Sequence, residues 1–60
     1  SLPGKKDAIV PVAANMQAEA VAALTALGYD GLTASRAVTA VEEAKNVEDL
    51  ITKALRKLAR

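Results

Sequence analysis

The sequence lacks the residues on which most catalytic and metal sites depend. None of its 60 residues is cysteine or histidine. This excludes disulfides, thiolate metal sites, the usual zinc ligand and the commonest general base. Tyr29 is the single aromatic residue, which excludes modules that stack several nucleic-acid bases on aromatic side chains. No apolar run approaches the roughly 20 residues of a membrane span. We expect no metal site and no cofactor.

The remaining polar residues do not form a recognisable catalytic arrangement. Glu42 and Glu43 are adjacent, as are Glu48 and Asp49. Neighbours on a helix point about 100° apart, so neither pair converges on one point. Ser35 has no histidine to activate it, and no phosphate loop of the form GxxxxGK[ST] occurs. We therefore predict that the chain has no catalytic residue and is not an enzyme.

The charges are nearly balanced, with eight basic and seven acidic residues and a net charge of +1. This balance does not predict strong binding to a polyanion. A basic group near the C-terminus, formed by Lys53, Arg56, Lys57 and Arg60, has the chemistry to contact phosphates. Pairing with the negative end of a helix dipole explains it better, so we expect no direct DNA contact.

Residues 1–15 differ in composition from the rest of the chain. They contain two prolines and a glycine and show no sustained helical or strand period. The stretch "AIVPVA" is compatible with an edge strand, but nothing else reads as a strand to pair with it. The start is not typical of a signal peptide, and a chain that begins with Ser1 is expected to be a fragment of a longer protein. We predict an irregular, partly extended linker over residues 1–15.

From Asn15 onward the pattern becomes helical. In "NMQAEAVAALTALG", Asn15 is the predicted N-cap, and Gly28 is the residue beyond the C-cap that can adopt a left-handed conformation. A second helix is predicted to begin near Thr33, with Leu32 packing against Ala37 as a hydrophobic staple. The apolar stripes are Ala20, Ala23, Leu24 and Leu27 in the first helix, and Ala34, Ala37, Val38 and Val41 in the second.

The third helix has the clearest pattern. Asn46 is its predicted N-cap, and acidic residues follow at the positive end of the dipole, with basic residues at the negative end. Three short helices with short connections can bury their stripes only against one another. We therefore predict an all-α fold, a compact three-helix bundle over residues 16–60. The third apolar stripe is Val47, Leu50, Ile51, Ala54, Leu55 and Leu58.

The large apolar residues Leu24, Leu27 and Tyr29 cluster around the first interhelical turn. Loops between helices are normally polar. The cluster either closes one end of a core made mostly of small residues or forms an apolar surface for a protein partner, since interface cores favour tyrosine and other large apolar residues. The residues alone favour neither interpretation.

The stretch "AEAVAALTALGYDGLTASRAV" resembles the C-terminal domain, domain III, of the RuvA family. The family's first helix reads like "EAVAALVALGY", its second carries an "EASRAV"-like run, and its third ends in a "LIREALRAL"-like run, matched here by "LITKALRKLA". All three helices match in order, from Glu19 to about Ala59. Two loops depart from the family: Asp30-Gly31 stands where Lys-Pro is frequent, and "EEAKN" lacks a frequent proline.

The resemblance implies a fold similar to the ubiquitin-associated (UBA) domain. It also implies a domain that docks on RuvB, an AAA+ ATPase, in the cytoplasm of a bacterium, for branch migration in recombination and in SOS-linked repair. The remainder of RuvA, a tetramer that holds the Holliday junction, would precede the linker. A β-hairpin of RuvB would place apolar side chains in a groove formed by Leu24, Leu27, Tyr29 and Leu55. We expect the first three to have a solvent-exposed face.

A ubiquitin-binding UBA domain is the alternative. Such domains often carry "MGF" or "MGY" in the first loop, and "LGY" at residues 27–29 is close to that motif. The match to the RuvA family is longer and favours the docking function.

Overall fold

Three helices and two very short strands make up the part of the chain that the computed structural model describes, residues 10–59. The predicted linker residues 1–9, and Arg60, lie outside that part. The prediction of an all-α three-helix bundle is confirmed. Within the described part, no helix combines the length and the apolar character needed to cross a membrane. The elements are β1 (Val10–Pro11), α1 (Ala14–Ala26), α2 (Gly31–Thr39), β2 (Glu43–Ala44) and α3 (Val47–Leu58).

Helix α1 begins before the predicted cap and ends where predicted. Its N-cap is Ala13, which has extended backbone and makes no side-chain capping bond. Asn15 is therefore wrong as the N-cap: it lies inside the first turn, where its Oδ1 accepts from the Met16 amide at 2.9 Å. At the other end Gly28 has a φ of 110°, as expected for the glycine that follows a C-cap.

The N-cap of α2 lies three residues before the predicted cap, Thr33. The N-cap is Asp30, whose Oδ2 accepts from the amides of Leu32 at 3.1 Å and Thr33 at 3.4 Å. These two donors would otherwise be unpaired in the first turn of the helix. Thr33 is thus inside α2, and Leu32, which is 62% exposed, does not form the predicted staple with Ala37.

Helix α3 begins at the predicted cap. The Asn46 Oδ1 accepts from the Asp49 amide at 2.8 Å, and the Asp49 carboxylate accepts from the Lys45 amide at 2.9 Å. The first bond satisfies an otherwise unpaired donor of the first turn, and the second ties the residue before the cap to the helix, one position earlier than in a capping box. The prediction of Asn46 as the N-cap is confirmed.

A two-stranded antiparallel pair joins the N-terminal segment to the connection between α2 and α3. Val10 pairs with Ala44 and Pro11 with Glu43, and the Val12 amide donates to the Glu42 carbonyl at 3.2 Å. The expectation that "AIVPVA" has no strand to pair with is therefore wrong. Proline is tolerated in β1 because this strand lies at an edge.

The core is small and rich in alanine. Five of its nine buried residues are alanine, and the largest fully buried side chains are Leu24, Val38 and Leu50. Short side chains let the helices approach closely, but the core they form has little room for large residues. All four stripe residues predicted for the second helix are buried, although Val41 lies beyond the end of α2. The nine core residues are Ala20, Leu24, Ala34, Ala37, Val38, Val41, Ala44, Leu50 and Ala54.

Candidate protein-docking surface

Three large apolar side chains are exposed around the turn between α1 and α2. Leu27 is 65% exposed, Tyr29 is 37% exposed and Leu32 is 62% exposed. No other large apolar side chain in the described part of the chain is exposed to this degree. Single exposed apolar residues are normal on a protein surface, but a group of them within six consecutive residues is a feature of interaction sites. We call Leu27, Tyr29 and Leu32 the turn cluster.

The backbone of the turn fixes two members of the cluster. Leu27 is the C-cap of α1. The Gly28 amide donates to the Thr25 carbonyl at 3.0 Å, and the Tyr29 amide donates to the Leu24 carbonyl at 3.1 Å. This pair of bonds defines a Schellman motif, which needs the positive φ of Gly28. The motif ends α1 sharply and holds Leu27 and Tyr29 at a rigid corner.

Tyr29 has roles in two elements at once. In the Schellman motif it occupies the position that makes an apolar contact with the last turn of α1. It also directly precedes Asp30, the N-cap of α2, and that position commonly packs against the fourth helical residue, here the buried Ala34. The side chain of Tyr29 is 37% exposed, so part of it is available to a partner while the rest is shielded by the protein.

The structure does not place all the predicted site residues on the surface. Leu24 is fully buried in the core, so the expectation that it has a solvent-exposed face is wrong. It lies one turn before Leu27 and directly beneath the corner, because its carbonyl accepts from the Tyr29 amide. Leu55 is half-buried and packs against the core from α3.

Leu32 was not among the predicted site residues. Its exposure follows from the position of the α2 N-cap: with Asp30 as the cap, Leu32 is the second residue of the helix, on the side away from Ala34, Ala37 and Val38. The sequence did carry a signal for this position of the cap, namely the order Asp-Gly-Leu-Thr, in which an aspartate precedes the threonine. An aspartate is as good an N-cap as a threonine or better, and it comes first in the chain.

The basic end of α3 is only partly available to a ligand. The Lys53 Nζ donates to the Glu43 carbonyl at 3.0 Å and lies 3.1 Å from the Asp49 carboxylate. Arg56 and Lys57 are exposed, and Arg60 lies outside the described residues. Lys53 is therefore a structural residue that connects α3 to β2.

An open cleft of about 620 Å³ lies beside these basic residues. Glu42 and Glu43 line it together with Lys53, Arg56 and Lys57. Two carboxylates among three cations leave little net attraction for a polyanion, so the cleft does not strengthen the nucleic-acid interpretation. Among residues 10–59, no group of three acidic side chains is arranged to hold a metal ion.

The hydrogen bonds to Asp49 change its pKa. The Lys45 amide and then the Lys53 amine donate to its carboxylate, and both lower the pKa of Asp49 below its ordinary value of 3.8. Hydrogen bonds to the charged form favour that form. The Asp49 carboxylate stabilises the start of α3, and Asp49 is distant in sequence from the turn cluster.

The fold defines a small all-α domain, with its large exposed apolar residues gathered at one corner. A family model described as the C-terminal domain of RuvA matches residues 15–59, and the chain belongs to that family. The resemblance seen in the sequence is thereby confirmed. This family is a non-catalytic domain of RuvA and takes part in Holliday junction processing. No curated protein and no solved structure matches the chain significantly.

Proposed function

We propose that the chain is the module through which RuvA binds the AAA+ ATPase RuvB, coupling junction binding to ATP-driven branch migration. The observation that carries the proposal is the turn cluster, an exposed apolar corner on a domain whose family works in Holliday junction processing. Catalysis would then reside in the partner, in the bacterial cytoplasm, and this domain would supply attachment.

The proposed contact residues have different tasks. Leu27 and Tyr29 would touch an apolar hairpin of RuvB directly, because both are exposed and both are held by the Schellman motif. Leu55 would contribute its exposed part from α3. Leu24 would act from beneath by supporting the corner, since it has no exposed surface. A large apolar residue that becomes buried at the centre of an interface is a typical energetic hot spot.

A rigid corner is well suited to this task. Ordering flexible side chains and loops on binding lowers affinity. Here the backbone of residues 27–30 is already fixed by the Schellman bonds and by the Asp30 cap. Direct DNA contact is not part of the proposal, because the junction would be held by the remainder of RuvA, attached through the N-terminal segment.

The test is Leu27→Asp, measured by calorimetric titration of the chain with RuvB from the same organism. We expect the affinity to fall by about 30-fold or more, the scale of losing one interface hot spot. Ala18→Asp is the matched control, since Ala18 is also exposed on α1 and the charge change is the same. Circular dichroism verifies that both variants are folded.

Two outcomes would decide the proposal. In full-length RuvA, Leu27→Asp should leave junction binding intact and abolish RuvB-driven branch migration. A folded Leu27→Asp chain that binds RuvB as tightly as the Ala18→Asp chain would show that the docking surface lies elsewhere.

Ubiquitin binding is the competing function, and the exposure of Leu27 and Tyr29 within "LGY" is the observation that favours it. NMR titration with ubiquitin separates the two functions. We expect no chemical-shift changes at high micromolar ubiquitin, whereas changes centred on residues 27–29 would support the UBA interpretation.

A further inference from the structure

Leu32 is as exposed as Leu27, yet the proposed groove does not use it. It lies in the first turn of α2, and its amide donates to the Asp30 carboxylate, so its backbone is fixed. An exposed leucine at this position is not needed for the helix, because the cap bonds are made by backbone amides and Asp30. The relevant feature is its closeness in the chain to the other two exposed apolar residues, Leu27 and Tyr29.

Leu32 lies close enough to the other cluster residues to share one partner. Three residues of chain span at most about 11 Å, and five span at most about 18 Å. The Leu32 Cα is therefore within about 11 Å of the Tyr29 Cα and about 18 Å of the Leu27 Cα. Adjacent strands of a hairpin are about 5 Å apart, so one hairpin with its side chains can cover this distance.

Asp30 adds a charged group between Tyr29 and Leu32. Both hydrogen bonds to its carboxylate are made by Oδ2. Within residues 10–59, the other oxygen, Oδ1, accepts no hydrogen bond and no cation lies in ion-pair distance of the group. A partner that covers Leu32 would remove water from this carboxylate, and that loss must be compensated by a donor or a positive charge.

We infer that Asp30 and Leu32 extend the docking surface and select a partner of defined chemistry. The occupant is an apolar hairpin of the motor ATPase, flanked by a lysine or arginine whose side chain pairs with the Asp30 Oδ1. Charge complementarity of this kind contributes mainly to specificity and to the association rate. The inference rests on the proposed function, since it adds residues to the same interface.

The apolar part is tested with Leu32→Gln, which leaves the charge unchanged. We expect calorimetric titration with RuvB to show an affinity about 10-fold lower. Ser35→Gln is the matched control on the same helix, because Ser35 is also exposed; its affinity should stay within about twofold of the unmodified chain. Circular dichroism verifies that α2 remains folded in both variants.

The charged part is tested with Asp30→Asn. Asparagine caps helices as well as aspartate does, so α2 should be retained while the negative charge is removed. We expect an affinity about threefold to tenfold lower at low salt, and a difference that largely disappears at about 1 M salt, where exposed charges are screened.

The outcomes separate this inference from the proposed function. If Leu27→Asp abolishes binding while Leu32→Gln and Asp30→Asn bind normally, the docking function stands and the extension is wrong. If Leu32→Gln weakens binding and Asp30→Asn does not, the basic flank is wrong. If the unmodified chain does not bind RuvB, both proposals fail.

Discussion

Two leucines near the end of α1, three residues apart, share one apolar pattern but differ completely in burial. Leu24 and Leu27 lie on the same predicted stripe of α1, yet Leu24 is fully buried and Leu27 is 65% exposed. The reason is the end of the helix. Leu27 is the C-cap, beyond the part of α1 that α2 and α3 cover, whereas Leu24 is one turn further inside.

We predict very different losses of stability for the two alanine variants. Leu24→Ala should lower the free energy of unfolding by about 2–5 kcal/mol, the range for a large-to-small change in a packed core. Leu27→Ala should change it by about 0.5 kcal/mol or less, as is usual at the surface. Urea unfolding followed by circular dichroism measures both values, and a Leu24→Ala chain that is unfolded in water counts as a large loss. Equal effects would contradict the burial described here.

At the scale of elements, a network of hydrogen bonds and one ion pair connects α3 to β2, the strand before it. The Lys45 amide and the Lys53 amine both bind the Asp49 carboxylate, and the Lys53 amine also donates to the Glu43 carbonyl. The side chains of Lys53 and Asp49 are 33% and 25% exposed. The Asp49 carboxylate therefore binds the backbone before the α3 cap and also pairs with the lysine that donates to β2.

This network predicts a stability that depends on pH. Because the pKa of Asp49 is lower in the folded than in the unfolded chain, its contribution is fully present above the ordinary value of 3.8 and is lost as pH falls through the folded-state pKa. Asp49→Asn should therefore lower the melting temperature at pH 7 and change it little at pH 2. The measurement is thermal unfolding of both chains across pH 2–7. A deficit of the same size at every pH would argue against a role for the charge.

The start of α3 was predicted correctly from the sequence, whereas the starts of α1 and α2 were predicted wrongly. Asn46 is the only good capping residue directly before a strong apolar stripe, so its assignment was unambiguous. Before α2, Asp30 and Thr33 are both capable caps, and the observed cap is Asp30, which comes first in the chain. Before α1, the actual N-cap is Ala13, which carries no capping side chain. No sequence rule identifies such a cap, because it is determined by packing of the preceding segment.

The two strands and the burial of Leu24 were also not predicted from the sequence, because both depend on tertiary contacts. A two-residue strand has no period to detect, and Glu43-Ala44 was indistinguishable from a turn until it paired with β1. Helical periodicity places Leu24 and Leu27 on one side of α1 but does not show where the neighbouring helices end. The exposure of Leu27 and Tyr29 was thus predictable from sequence, whereas the burial of Leu24 and the exposure of Leu32 were not predicted.

At the scale of the whole molecule, residues 10–12, which precede the first helix, belong to the folded unit. Val12 is partly buried and packs against the core, and its amide donates to the Glu42 carbonyl. The pairing of β1 with β2 connects this segment to the loop between α2 and α3. The bundle of three helices is therefore closed by a piece of chain that precedes the first helix.

We predict that two shortened chains differ in stability. A chain that begins at Ala13 should keep its three helices and lose about 1–3 kcal/mol of unfolding free energy, mainly from the lost burial of Val12. A chain that begins at Val10 retains β1 and Val12 and is the matched control. Denaturant unfolding of the two chains gives the difference directly. Indistinguishable stabilities would show that β1 and Val12 contribute nothing to the folded state.

The pairing of β1 with β2 also determines how a mechanical load enters the domain. A pull transmitted through the chain before Val10 acts first on the short ladder between β1 and β2, and then, through the bond between the Lys53 amine and the Glu43 carbonyl, on the middle of α3. The chain also runs from Val12 directly into α1, which ends at the turn between α1 and α2. A partner held at that turn and a tether pulled at the N-terminal side would therefore apply force to opposite ends of α1, with the ladder between β1 and β2 at the end nearest the tether.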